Sequence, residues 1–496
     1  MTFNNADLLY ATPIVILVVV GMLLVIAEAF FRGRDRSTLM GLAVAGAVAS
    51  SVAAIVVYRQ LAPGEVKPML GNMLLADRFG FALVALFGVV TALAAMAAPS
   101  HQRTHGWEHG EFYGVLLLSA SGMAMMAMAG NLVTVFLGVE TMSIGVYVMC
   151  ALRRRSRRGN EAAMKYFLMG AFATGFLLYG IALLYGAAGT TALVTPAGGK
   201  LVPLADLLVH SSNRGLVVGG VMLLVVAFGF KLGAVPFHMW APDVYEGAPT
   251  PVTAFMAAGV KAAATAAMIR VFAHGMGGDV MPFGNLGWAS PMVVIAAITI
   301  TVGNIAAVRQ DNIKRMLAYS SISHGGVILV GLIALGMGST TAQSSLLYYL
   351  VAYSLTTMGA FAVVSYVGSK DRERLLIDDW AGLATRHPAA ALAMTVCLLS
   401  LGGMPPTGGF FAKFYVFKSA MEAYDSQLLW LVIIGVVNSA ISIYYYLRIV
   451  TAMYFRDARD PMTPSRSPSL ALVMALCPLV ILEMGVLPGF WLKLGL

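Results

Sequence analysis

The sequence predicts an all-α polytopic membrane protein of about fourteen transmembrane helices, built as two inverted five-helix repeats in which helices 7 and 12 are broken. Three observations carry that prediction. Of the 496 residues, 59% are hydrophobic and only 11% are charged, a composition no soluble globular domain shows. Apolar runs of the ~20 residues that a helix needs to cross hydrocarbon recur along nearly the whole length, and they lack the apolar–polar alternation of an outer-membrane barrel. Two of the later runs are interrupted in the middle by Gly and Pro beside a lysine.

Read against their charged or Gly/Pro-rich interruptions, the runs place spans near residues 8–30, 39–58, 79–98, 112–129, 132–152, 162–187, 215–235, 252–273, 290–308, 317–337, 343–368, 389–420, 427–450 and 469–489. The first has no basic segment before it and no small-residue cleavage site after it, so it reads as a retained helix and not a signal. Residues 1–111 make an N-terminal three-helix segment, 112–273 the first repeat (helices 4–8), 290–450 the second (helices 9–13) and 451–496 the C-terminal helix 14. The repeat is read from GNLVTVFLGVETMSIGVYVMCAL, from Gly130, against GNIAAVRQDNIKRMLAYSSISHGGVIL, from Gly303. MKYFLMGAFATG, from Met164, likewise matches LLYYLVAYSLTTMG, from Leu346. The two broken helices follow in the same order, and an odd number of crossings per unit turns the second copy upside down.

Alternate loops hold Arg32/Arg34/Arg36, Arg103, the run Arg153–Arg158, Arg309/Lys314/Arg315, Lys370/Arg372/Arg374/Arg386 and Arg456/Arg459/Arg466, and the other loops hold far fewer basic residues. The positive-inside rule makes the first set cytoplasmic and puts both termini on the periplasmic side of a bacterial inner membrane. That asymmetry also explains the net charge of +9, so the chain is not expected to bind nucleic acid.

The first break lies in GFKLGAVPFHMWAPDVYEGAPTPVTAF, Gly229 to Phe255, where Gly233, Pro236 and Pro242 interrupt the seventh run just after Lys231. Backbone groups freed by such a break cannot face lipid, and an ionisable residue beside them marks a candidate functional site. The twelfth run holds the second break, at Gly402, Gly403, Pro405, Pro406, Gly408 and Gly409.

Once loop charges are set aside, Glu140, Lys165, Lys231, Lys261 and Lys413 remain inside spans, with His324 and Glu483 as lesser members. Glu140 lies about 13.5 Å into the fifth run at 1.5 Å per residue, and Lys261 is equally central in the eighth. Burial loosens a lysine's hold on its proton and a neighbouring carboxylate tightens it, so Glu140 with Lys231 makes a tunable proton-transfer pair. Lys165, one turn into its span beside the Arg-rich loop, is read equally well as snorkelling or as functional. His324, in SSISHGG, is either a relay or a satisfied polar residue, and Asp243 with Glu246 either line a water path or cap the next helix.

Redox and metal chemistry find no residues. Cys150, Cys397 and Cys477 are too scattered for an iron–sulfur cluster or a disulfide framework, and no P-loop, zinc-protease or dinucleotide motif occurs. No cofactor or metal is expected in this chain.

FKLGAVPFHMWAPDVYEGAPTPVTAF, LAYSSISHGG and GGMPPTGGFFAKFYVF closely resemble the antiporter-like membrane subunits of bacterial respiratory NADH:quinone oxidoreductase, complex I. The PDVYEGAPTP core is similar to the subunit N branch, counterpart of mitochondrial NADH dehydrogenase subunit 2, and not to its two larger sister subunits. The resemblance implies a proton-translocating subunit that does no redox chemistry itself. It implies a gating role for Glu140 and Lys231, a connecting role for Lys261 and an exit-side role for Lys413. Its implied partners are other membrane subunits on both flanks and, indirectly, the redox peripheral arm, whose subunits carry the flavin and iron–sulfur clusters. An Mrp-type cation/proton antiporter subunit is the alternative, and a purely structural scaffold is the third class.

Overall fold

A backbone N–H or C=O in hydrocarbon has no water to bond, so each apolar run closes its own hydrogen bonds as a helix. The computed structural model describes residues 5–30, 36–197, 200–277, 288–368, 373–423, 427–458, 464 and 467–493. Arg32, Arg34, Lys370, Arg372, Arg459 and Arg466 lie outside the described residues. In chain order the helices are α1 (Asn5–Phe30), α2 (Ser37–Gln60), α3 (Arg78–His105), α4 (Glu111–Ala127), α5 (Leu132–Ala151), α6 (Arg157–Ala188), α7 (Leu204–Val209), α8 (Arg214–Leu232), α9 (Trp240–Gly247), α10 (Thr250–Phe255), α11 (Lys261–Met268), α12 (Ala289–Val308), α13 (Ile313–Gly336), α14 (Ala342–Val367), α15 (Leu383–Arg386), α16 (Pro388–Gly402), α17 (Gly408–Glu422), α18 (Leu429–Phe455), α19 (Pro468–Val486) and α20 (Pro488–Lys493). Two hairpins, β1 (Val66–Met69) with β2 (Leu74–Asp77) and β3 (Val194–Ala197) with β4 (Lys200–Pro203), are antiparallel.

Among the described residues, twelve helices are long and apolar enough to cross a membrane. Of the remaining two expected spans, 112–129 is the 17-residue α4 and 389–420 divides into α16 and α17, each 15 residues. Length and apolarity alone therefore carry twelve crossings rather than fourteen. One crossing, Thr250–Met276, runs through α10, a π-helical turn at Met256–Val260, α11 and a second π-helical stretch at Ile269–Met276. This helix, α13 and α14 form the buried centre, whereas α6, α18 and α19 leave residues such as Phe172, Val437 and Leu479 exposed.

The same construction occurs twice. Asn131 caps α5, accepting from the Thr134 amide at 2.7 Å, and Asn312 caps α13, accepting from the amides of Lys314 and Arg315. Each cap is pinned to the loop after the next long helix. Leu132 N bonds Thr191 O and Leu193 N bonds Gly130 O, just as Ile313 N bonds Leu375 O and Ile377 N bonds Asp311 O. The match of Gly130 to Gly303 is thus a register error, because Gly303 and Asn304 sit inside α12 and the counterpart of Gly130–Asn131 is Asp311–Asn312. Glycine beside a small polar residue is common membrane-helix texture, while a cap specifically needs the side-chain acceptor.

The breaks repeat as well. Gly233 ends α8 at φ +75 and Gly403 ends α16 at φ +78, the left-handed conformation that glycine enters without a Cβ clash. Ala234 N bonds Gly229 O at 2.8 Å and Met404 N bonds Leu399 O at 3.0 Å, the same closure over the helix end. The groups that each break frees are satisfied inside the protein. Thr299 Oγ1 accepts from Val235 N, Trp240 Nε1 donates to Phe230 O, and Ser400 Oγ accepts from Gly409 N.

Candidate functional site

Lys231 ends α8 two residues before its break and is buried. Its Nζ donates to Ser143 Oγ at 2.8 Å and to Tyr147 OH at 3.4 Å, with the rings of Tyr147 and Phe230 each 5.7 Å away. Glu140, Ser143 and Tyr147 share one face of α5, being spaced by three and four residues. Glu140 is half-buried and makes no ion pair with Lys231 among the described residues. Two hydroxyls thus take the ammonium directly, and Glu140, on the same face of α5, stands near enough to act on it through its charge.

Lys261 begins α11 immediately after the π-helical turn, an irregularity often found at functional sites. Its Nζ donates to both the carbonyl and the hydroxyl of Ser321 on α13. Tyr353 of α14 donates to the same Ser321 Oγ at 2.8 Å and lays its ring 5.6 Å from the ammonium. His324, one turn along α13 from Ser321, packs on Tyr353 at 4.9 Å between ring centroids and bonds Tyr349 OH at 2.5 Å through Nδ1. The end of α8, one residue past Lys231, and the Lys261 ammonium meet at Gly325, where a Cβ would stand 3.2 Å from Leu232 O and 3.7 Å from Lys261 Nζ.

Lys413 lies in α17, after its break, and reaches back to donate to Gly402 O at 3.1 Å, a carbonyl left open at the end of α16. Its stem lies against Gly403, where a Cβ would meet Lys413 Cδ at 2.9 Å. A cavity of about 10 Å³, roughly the room of one water, joins Lys413 to His324, Asn304, Ser323, Ser442 and Tyr445. Tyr445 OH donates to Asn304 Oδ1 at 2.9 Å, so the cavity wall is itself hydrogen-bonded.

The remaining sequence candidates lie elsewhere. Lys165 bridges Glu161 at 2.7 Å and Asp243 at 2.9 Å, and Arg315 joins Asp243 at 2.8 Å to Glu246 at 3.0 Å. Lys165, Asp243, Glu246 and Arg158 surround a polar pocket of about 180 Å³ at the end of the molecule that carries the Arg153–Arg158 run. Burial would raise the Asp243 carboxyl, but Lys165 and Arg315 beside it hold it below the usual carboxylate range. Asp243 and Glu246 do not cap the next helix, since α10 starts after Pro249 with no side-chain cap. Glu483 is exposed on α19.

Two buried charge sets were not singled out from sequence. Arg270, in the second π-helical stretch, makes a bidentate pair with Asp77 at 2.5 and 2.6 Å and donates to Ala127 O. Lys314, with no exposed surface, bonds Ala248 O at 2.7 Å and Glu373 at 3.3 Å, and Arg153 reaches Glu373 at 2.8 Å. Burial would raise the Glu373 carboxyl, but Lys314 and His101 hold it well below the usual range. Arg270 and Lys314 lie near the ends of apolar runs, where a basic residue reads as snorkelling, and Asp77 precedes the third run in a hairpin. Only the fold brings these partners together.

Fold and site define an antiporter-like membrane protein: residues 129–442 match the family described as NADH:quinone oxidoreductase/Mrp antiporter, TM. The chain is 43% identical to NADH-quinone oxidoreductase subunit N of Trichlorobacter lovleyi, across 92% of this chain and 90% of that relative. It is 42% identical to the subunit N of Myxococcus xanthus, across 98% and 96%. A chain of respiratory complex I from Thermus thermophilus superposes with a TM-score of 0.78 at 31% identity, covering 97% of this chain and 98% of that one. A chain of the Mrp complex from Dietzia sp. superposes at 0.83 but at 21% identity, covering 99% and 96%, and shows the shared fold alone. The chain belongs to the NADH-quinone oxidoreductase subunit N family, and is thus an antiporter-like membrane subunit of that translocase.

Proposed function

We propose that protons cross the membrane in this subunit along the buried line of Lys231, Lys261, His324 and Lys413, with Glu140 setting when Lys231 gives its proton up. The observation that carries this reading is the kind of partner each lysine has. Lys231 is held by two hydroxyls, Lys261 by a serine hydroxyl and carbonyl, and Lys413 by a carbonyl, with no carboxylate within ion-pair distance among the described residues. A lysine fixed for structure in hydrocarbon is normally neutralised by an acid, as Arg270 is by Asp77. Buried lysines on neutral acceptors are instead not pinned by a counter-charge, which suits them to passing a proton on.

The order follows from the contacts. Lys231 receives protons through Ser143 and Tyr147, Gly325 is the junction to Lys261, and Ser321, Tyr353 and His324 lead to Lys413. Lys165, Asp243 and Glu246 form the polar mouth from which Lys231 is supplied, so Lys165 acts at the entrance. The subunit sits in a bacterial inner membrane with both termini periplasmic and other membrane subunits on both flanks. It answers indirectly to the redox peripheral arm and holds no flavin, haem or iron–sulfur cluster of its own. The relatives' names favour this assignment over a free-standing cation/proton antiporter, and ion-flux measurements in a strain lacking complex I separate the two.

The test is NADH-driven proton uptake in membrane vesicles, with assembly of the complex checked on the same membranes. Lys231→Met should assemble yet lose most pumping, with NADH oxidation falling in step because a blocked path holds back the coupled redox reaction. Lys231→Arg should fail too, since guanidinium keeps its proton at any accessible pH. Normal pumping by assembled complexes with both Lys231 and Lys261 neutralised would overturn the proposal and leave a scaffold.

A further inference from the structure

An apolar cavity of about 430 Å³ lies between α2, α3, α14 and α19, apart from the proton line, with Trp491 of α20 at one end. Its walls include the buried Leu83, Leu347 and Tyr348, and its rim includes the exposed Ile55, Val89 and Leu476, so it opens on a lipid-facing side of spanning helices. The lining runs from Phe81 to Val89 on α3, from Leu347 to Leu355 on α14 and from Met484 back to Leu476 on α19. Each stretch is about 12 Å at 1.5 Å per residue, close to the ~15 Å depth of one leaflet of a 30 Å hydrocarbon core. All three start at the same end of the molecule, opposite the Arg153–Arg158 run, where α2 ends and α3 and α14 begin.

That end is polar in a particular way. Arg59, in the last turn of α2, lines the cavity, is exposed, and has no ion pair or hydrogen bond among the described residues. Trp491 also lines it, and its Nε1 is a buried donor with no acceptor among the described residues. Arg78 stacks on the Tyr58 ring at 5.1 Å, which brings a second cation to the rim, and no lining residue is acidic. An apolar slot one leaflet deep, topped by a free guanidinium and an orphan N–H, matches a lipid whose head carries net negative charge and whose ester oxygens accept hydrogen bonds. Arg, Tyr and Trp at that depth are also the side chains that favour the bilayer interface.

We propose that this crevice is a binding site for one anionic phospholipid, with an acyl chain along α3, α14 and α19, the phosphate on Arg59 and an ester or phosphate oxygen accepting from Trp491 Nε1. The lipid fastens α2 and α20 to the buried α14 and fills a space that side chains leave open.

The test uses the whole complex reconstituted in vesicles doped with phosphatidylglycerol or phosphatidylcholine carrying a diazirine on the acyl chain, followed by mass spectrometry of the photolabelled peptides. Phosphatidylglycerol should label the peptides around Leu83–Val89 and Leu476–Met484 well above phosphatidylcholine. Arg59→Gln should cut that labelling about fivefold, the worth of one interfacial cation to an anionic lipid. Leu86→Trp, which fills the slot, should reduce labelling by both probes. Equal labelling by the two lipids, or labelling indifferent to Arg59→Gln, would reduce the site to bulk lipid contact and overturn the proposal. So would crosslinking of Ile55→Cys to another subunit in high yield, because a protein would then occupy the crevice.

Discussion

An ammonium group held by hydroxyls depends on them one at a time, and the two that hold Lys231 rank by distance. Ser143 holds Lys231 at 2.8 Å and Tyr147 at 3.4 Å, so Ser143→Ala should slow proton uptake more than Tyr147→Phe. A hydrogen bond to a charged group is worth about 1.5–3 kcal/mol, and the long one from Tyr147 less. The reverse order, measured in vesicles with matched assembly, would count against Ser143 as the first link of the relay. Glu373 makes the contrasting case of a charge held for structure. Glu373→Gln leaves the fully buried Lys314 with neutral acceptors and no counter-charge from this position, and should lower stability by about 3 kcal/mol, read as earlier thermal dissociation of the complex. Because its carboxyl is held below the usual range, its contribution is present above the unfolded carboxylate pKa of ~4.3 and is lost as pH falls through the lower folded value. The buried lysines of the proposed proton line were legible in the sequence because a charge inside an apolar run is conspicuous. Their partners were not, since Ser143, Tyr147, Ser321 and Tyr353 are ordinary residues of membrane helices until three dimensions set them against an ammonium. For the same reason the sequence pairs Lys231 with Glu140 alone, and the two hydroxyls that take its ammonium emerge only in the fold.

Among the elements, the two broken helices share a closure but differ in where the lysine stands, and this separates their expected behaviour. Alanine at Gly233 or Gly403 forces a Cβ into the left-handed region at a cost of about 1–2 kcal/mol. At Gly233 the nearest neighbour is Ile322 Cγ1 at 3.8 Å, whereas at Gly403 the new methyl meets Lys413 Cδ at 2.9 Å. Gly403→Ala should therefore impair pumping well beyond its effect on stability, while Gly233→Ala should lower the two together. Comparison of uptake rates against thermal dissociation temperatures of the two variants checks this. Equal losses of uptake at equal stability would mean that the position of Lys413 does not matter. Break positions were readable because Gly and Pro punctuate a helix whatever surrounds them. The register of the first half of the repeat was not, because small residues recur in every membrane helix and the distinguishing signal is one Asn acceptor at each helix start.

For the whole molecule the outstanding question is which end faces which compartment, and the fold tightens the argument from loop charge. Residues of loops that are far apart in sequence meet at one end: Arg153 with Glu373, Arg158 with Glu246, Arg448 with Asp311 and Arg456 with Asp378. A single miscounted crossing would have sent some of these partners to opposite ends, so the described loops alternate as the sequence implied. Basic loops are retained in the cytoplasm, so the positive-inside rule predicts a cytoplasmic face at this end and a periplasmic face at the end bearing Arg59, Asp77 and Trp491. The check is labelling of introduced thiols by a membrane-impermeant maleimide, and the chain suits it, because Cys150, Cys397 and Cys477 are all buried and should stay silent. Arg155→Cys lies exposed in the turn before α6, and Ser212→Cys lies exposed just before α8. In intact spheroplasts Ser212→Cys should react and Arg155→Cys should not, and in inside-out vesicles the pattern should reverse. Reaction of both from one side would mean that α6 does not cross, and would undo the inverted relation of the two repeats along with the orientation.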